Sequence, residues 1–85
     1  MAVKVTIDAG SKSDAELIAA ALPGKPEAGS WRGYGVVRLR LSHERETGDL
    51  LSALAACVGH HSIGWARIRF GEHERTFKAR NMRAS

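Results

Sequence analysis

The chain opens on an alternation, with Val3, Val5 and Ile7 on one side and Lys4 and Thr6 on the other. That period of two predicts a half-buried strand in "AVKVTID". The period then changes. In "GSKSDAELIAAALPG", Leu17, Ile18, Ala21 and Leu22 fall on one helical face. Ser13 with Glu16 has the S-x-x-E form of a capping box, and Ser11 with Asp14 is a second candidate. Pro23 and Gly24 end this helix, which spans about three turns and needs tertiary packing to persist. "KPEAGSWRGYG" reads as a loop. "YGVVRLRLS" is a second strand, with Val37, Leu39 and Leu41 on one side and Tyr34, Val36, Arg38 and Arg40 on the other.

A second helical stripe follows in "HERETGDLLSALAACVGHH". Leu50, Leu51, Leu54 and Val58 line it, with Ala55 between them. Thr47 is placed as an N-cap, and Asp49 suits the positive end of the helix dipole. Gly59 is placed as a C-cap, with His60 and His61 beyond it. Then "IGWARIRFGEHERTFKAR" alternates, breaks at "GEHE" and alternates again. One side carries Trp65, Arg67, Arg69, Thr76, Lys78 and Arg80. The other carries Gly64, Ala66, Ile68, Phe70, Phe77 and Ala79. A two-residue and a four-residue connection give the same parity, since only odd slips invert a strand.

The predicted order, β-α-β-α-β-β, is that of an α+β protein. It implies a two-layer α/β sandwich: a mixed four-stranded sheet with both helices on one face. Residues 1–80 form a single domain, and 81–85 a frayed tail. The other sheet face is left open. It gathers Lys4, Arg38, Arg40, Arg67, Arg69, Lys78 and Arg80 with Tyr34 and Trp65, and only Glu74 clearly opposes them. Like charges on neighbouring strands repel, so such a face costs stability unless something offsets it. In element order alone the chain resembles the Alba-type chromatin proteins and the C-terminal domain of bacterial translation initiation factor three. Both groups bind nucleic acid, and that is what the likeness implies here.

Composition sharpens this picture. Eighty-five residues bury only about 60% of the unfolded surface, so the core is small. Hydrophobic residues make up 44% and charged residues 26%, as in ordinary globular domains. No apolar run reaches about 18 residues, and "MAVKVTIDAG" has no signal-peptide core. With Cys57 as the single cysteine, a cytoplasmic protein without membrane attachment is expected. The net charge is +4. Residues 1–31 hold three lysines against four carboxylates, whereas residues 32–85 hold ten Lys and Arg against five. A basic C-terminal two thirds suits a polyanion or an acidic protein surface.

Catalytic signals are weak. "GSKSD" between a strand and a helix resembles the phosphate-binding loop of the purine-biosynthesis mutases that act on carboxyaminoimidazole ribonucleotide. The resemblance covers five residues, and helix capping accounts for Ser11, Ser13 and Asp14 without a ligand. His43, His60, His61 and His73 have no recognised zinc spacing, so no metal or other cofactor is expected. Cys57 reads as a buried inert thiol rather than a nucleophile, although His60 is near it in sequence. No Ser-His-Asp order or carboxylate pair stands out, so the chain is not expected to be an enzyme. In "SWRGYG", Trp31 and Arg32 form a secondary recognition candidate, with Trp31 expected to fold back over the end of the core. The expected function is therefore non-catalytic binding of RNA or DNA through Tyr34, Arg38, Arg40, Trp65, Arg67, Arg69, Lys78 and Arg80. The alternative is a protein-binding regulator or inhibitor, of the kind phages and mobile elements carry, using the same face as a monomer or a homodimer.

Overall fold

A computed structural model describes residues 3–23, 26–42 and 46–78. The elements are β1 (Val3–Ala9), α1 (Lys12–Ala21), β2 (Glu27–Trp31), β3 (Tyr34–Leu41), α2 (Thr47–His60), β4 (Ala66–Phe70) and β5 (His73–Phe77). They form an α+β protein with a five-stranded sheet in the order β2-β3-β1-β4-β5, in which every neighbouring pair is antiparallel.

The expected mixed four-stranded sheet is thus corrected on two linked points. The stretch read as a loop contains β2. It joins β3 through the two-residue turn Arg32-Gly33, whose φ values of 50° and 86° are both positive. A tight hairpin turn of the I′ type demands that geometry, because it matches the right-handed twist of the flanking strands. The extra hairpin reverses the chain. Helix α1 crosses from β1 to β2, and β3 then returns antiparallel into the place between them. Helix α2 likewise joins β3 to β4 around β1. Two interleaved split β-α-β units result, the ferredoxin-like connectivity, with β5 added beyond β4. The element-order likeness to Alba-type proteins and the initiation-factor domain does not survive the fifth strand.

Both helices pack on one face, as expected. Val5, Ile7 and Ala9 of β1, Val37, Leu39 and Leu41 of β3, and Ala66 and Ile68 of β4 meet Ala15, Ile18 and Leu22 from the first helical segment and Leu50, Leu54, Cys57 and Val58 from α2. Of the expected stripe Ile18 and Leu22 are buried, whereas Leu17 is 39% exposed and Ala21 is exposed, and Ala15 takes an inward position instead. Leu51 and Ala55 sit at the margin of the second stripe, half-buried, and Cys57 takes a core position.

The caps differ in detail. Ser11, rather than Ser13, caps α1: its Oγ accepts from the Asp14 N–H at 3.2 Å. Glu46 precedes α2, and its carboxylate accepts from the Ser42 N–H at 3.0 Å. Thr47 is the first helical residue and not the cap. Helix α2 runs through Gly59 to His60 and ends where Ser62 adopts φ 51°, so the left-handed residue falls three positions later than expected. The closing hairpin turns on Gly71-Glu72, with Phe70 opposite His73 and Gly71 at φ 61°, so the two-residue connection holds. Gly24, His43, Arg80 and the tail 81–85 lie outside the described residues.

Candidate nucleic-acid interface

Register fixes which side chains share the open face, because directly paired residues point the same way. Strand β1 contributes Lys4, Thr6 and Asp8. These pair with Arg40, Arg38 and Val36 of β3, and Thr6 and Asp8 pair with Arg69 and Arg67 of β4. On the flanks, Glu27, Gly29 and Trp31 of β2 pair with Arg38, Val36 and Tyr34, while Thr76 and Glu74 of β5 pair with Arg67 and Arg69. All the expected face residues among those described therefore gather on one surface. Trp31 joins them. Its expected role as a core cap is corrected: it is 62% exposed, because as the last residue of an edge strand it stands on the sheet face away from the helices.

The face has two parts. At one end three rings cluster. Tyr34, 53% exposed, meets Trp65 edge-on with centroids 6.3 Å apart. Trp65 lies over the backbone of Gly10, where a Cβ would come within 3.1 Å of its Nε1. The Arg32 guanidinium stands 5.4 Å from the Trp31 ring centroid, at cation–π distance. Trp31, Tyr34 and Trp65 line a groove of about 400 Å³ with Val36, Asp8, Arg67 and Arg69. Lys78 adjoins Trp65 in a smaller recess of about 190 Å³ with Arg67 and Thr76.

Asp8 is the residue the sequence reading missed. Its side chain is only 15% exposed. Arg69 reaches both its oxygens through Nη2, at 2.9 Å to Oδ2 and 3.2 Å to Oδ1. Arg67 Nε lies 3.7 Å from the same Oδ2, and Arg67 Nη1 lies 3.6 Å from Glu74 Oε1. Two cations expected to stand free are thus balanced by two carboxylates. The parity of β1 would have placed Asp8 on this face. Only the strand order, with β1 beside β4, shows what it touches.

The other end is different. Lys4 and Arg40 are directly opposed across β1 and β3, and Arg38 lies next to them. Among the described residues none of the three has an ion-pair partner. They line a shallow groove of about 530 Å³ with Thr6 and Glu27. Like charges directly opposite on neighbouring strands are destabilising. The cationic excess of the face is concentrated here, not at Arg67 and Arg69.

No cluster of three or more His, Cys, Asp or Glu side chains suited to a metal occurs among the described residues. His60 and His61 contact each other edge-on, and His73 packs on Phe70. Cys57 is buried, and its Sγ lies 3.7 Å from the Leu17 carbonyl oxygen, to which it donates. Burial, and secondarily the charge of Asp14, push its thiol pKa upward. The thiolate is the reactive form, so iodoacetamide at pH 8 is expected to label the native protein more slowly than the urea-unfolded chain. Equal rates in a kinetic labelling assay would contradict the burial. Ionising this thiol costs the fold, so its contribution is intact below the ordinary thiol pKa. It is lost as pH rises through the raised value.

Fold and site together define a small α+β protein with one covered and one open sheet face. The chain matches no protein-family model, and neither curated proteins nor solved structures show a significant match. Among the described residues no helix is long and apolar enough to cross a membrane.

Proposed function

We propose that this is a non-catalytic protein that binds single-stranded nucleic acid on its open sheet face, in the cytoplasm and without a cofactor. One observation carries the reading. Three rings, Trp31, Tyr34 and Trp65, share a face with three cations, Lys4, Arg38 and Arg40, that have no ion-pair partner among the described residues. Rings on an open sheet offer stacking surfaces for unpaired bases. Unpaired cations neutralise phosphates and release counterions. A bound backbone would also relieve the repulsion between Lys4 and Arg40, so the feature that costs the free protein stability favours the complex. A duplex hides its base faces and cannot use the rings.

The test is a tryptophan-fluorescence titration with mixed-sequence single-stranded RNA and DNA and with duplexes, at several salt concentrations. Saturable quenching by single strands, weakening with salt, is expected, with duplexes bound more weakly. No quenching by either single strand at low salt would sink the reading.

A second reading, a protein partner or self-association through the same face, draws on the exposure of Trp31 and Tyr34 beside Arg32. Trp, Tyr and Arg are the usual anchors of protein interfaces. Its signature is a nuclease-resistant complex, or a dimer in light scattering that Trp31→Ala dissolves.

A further inference from the structure

The aromatic groove has an end wall that stacking does not use. Asp8, Arg67 and Arg69 stand there side by side, presenting a carboxylate next to guanidinium N–H groups. We propose that this groove is a base-reading subsite selective for guanine. The inference rests on the single-strand reading above and names which base the site prefers.

A flat ring stacked against Trp65 or Trp31 turns one edge towards the wall. Guanine carries two adjacent donors, N1–H and the N2 amine, beside two acceptors, O6 and N7. A carboxylate accepts from the first pair, and a guanidinium donates to the second, the commonest specific arginine contact with a base. The capacity for both is present. A carboxylate has about four lone-pair sites; Arg69 Nη2 takes no more than one on each oxygen, and Arg67 Nε at 3.7 Å is beyond hydrogen-bond distance, which leaves two for the two guanine donors. Each guanidinium has five N–H groups, most of them still free for a ligand.

The other bases fill the wall less well. Cytosine offers one amine donor beside the acceptor N3, and adenine one amine between the acceptors N1 and N7, so both rank behind guanine, and uracil offers one N–H between two carbonyls. A site built around polar partners discriminates strongly because the wrong ligand leaves those partners unpaired. The ion pairing also explains the division of the face. Arg67 and Arg69, neutralised by Asp8 and Glu74, are suited to reading an edge, while Lys4, Arg38 and Arg40 are left for phosphates.

The experiment uses the full chain and uracil octamers carrying one central guanine, adenine, cytosine, hypoxanthine or 7-deazaguanine, read by tryptophan fluorescence. The guanine octamer should bind about 10–100-fold more tightly than all-uracil, in the range of one good bidentate contact. Hypoxanthine lacks the N2 amine and 7-deazaguanine lacks N7, so each should lose part of that gain. Asp8→Asn should collapse the guanine-to-uracil affinity ratio towards one, with circular dichroism confirming the fold. A purely structural role for Asp8 would shift all octamers together and leave the ratio intact, which would overturn its assignment. Equal affinity for all octamers, or a preference for another base, would overturn guanine selectivity while leaving single-strand binding in place. No binding to any octamer would overturn both.

Discussion

Gly35→Ala is expected to destabilise the protein by about 3 kcal/mol, at the top of the usual range for overpacking. A Cβ at this position would lie 2.0 Å from the Ser11 carbonyl oxygen and 2.7 Å from the Ala15 Cβ. Neither is the far end of a flexible side chain. Ser11 O also accepts the Ala15 N–H at 3.1 Å in the first turn of α1, so the helix start must move as a unit. The requirement is for space, since positive φ among the glycines is confined to Gly33 and Gly71 in the described residues. A domain of this length is typically held by roughly 4–13 kcal/mol, so the loss is a large share of the total. Urea denaturation measures it. Gly59→Ala serves as the contrast: Gly59 lies within α2 with nothing within 4 Å of its virtual Cβ. Alanine there should stabilise by about 0.5–1 kcal/mol through helix propensity. Similar midpoints for both variants would show that α1 does not press on β3 as described.

That contact illustrates how far the sequence is legible. The alternation of Val3, Val5 and Ile7, the leucine stripe around Leu54 and the parity of Arg67 and Arg69 each give a correct local element, because one face of each is buried. Gly35 was read only as a strand residue. Its tight neighbour, α1, comes from another part of the chain, and no local pattern reports it. Strand β2 escaped for a different reason. Residues Glu27–Trp31 are nearly all exposed, so no hydrophobic period marks them. The available signal was the turn, with Trp31 and Tyr34 flanking Arg32-Gly33 as a cross-strand aromatic pair. The candidate site shows the same division. Parity placed the cations on one face, but strand order decided which of them meet a carboxylate. In the expected centre, Trp65 with Arg67 and Arg69, the two arginines are balanced by Asp8 and Glu74 for that reason. The unpaired charge sits at Lys4, Arg38 and Arg40.

The largest functional effect should follow that charge. In single-strand binding each neutralised phosphate contributes about −0.7 to the slope of log affinity against log salt. Removing three unpaired cations together, in Lys4→Gln/Arg38→Gln/Arg40→Gln, is therefore expected to flatten the slope by about 2. Between 50 and 200 mM salt that difference alone amounts to about 16-fold in affinity. Arg67→Gln with Glu74→Gln is the control. It deletes one member of each sign from a pair 3.6 Å apart and leaves net charge unchanged, so the slope should hardly move. Stability should hardly change. The triple variant removes the direct opposition of Lys4 and Arg40 but also the cross-strand Glu27–Arg38 pair, so its urea midpoint should stay within the equivalent of about 1 kcal/mol. Weaker binding from a chain of nearly unchanged stability is what a binding surface shows when selection has kept its repulsion for the sake of the ligand. An unchanged salt slope in the triple variant would place the phosphate contacts elsewhere, with Arg32 and Lys78, which flank the rings, as the next cations to remove.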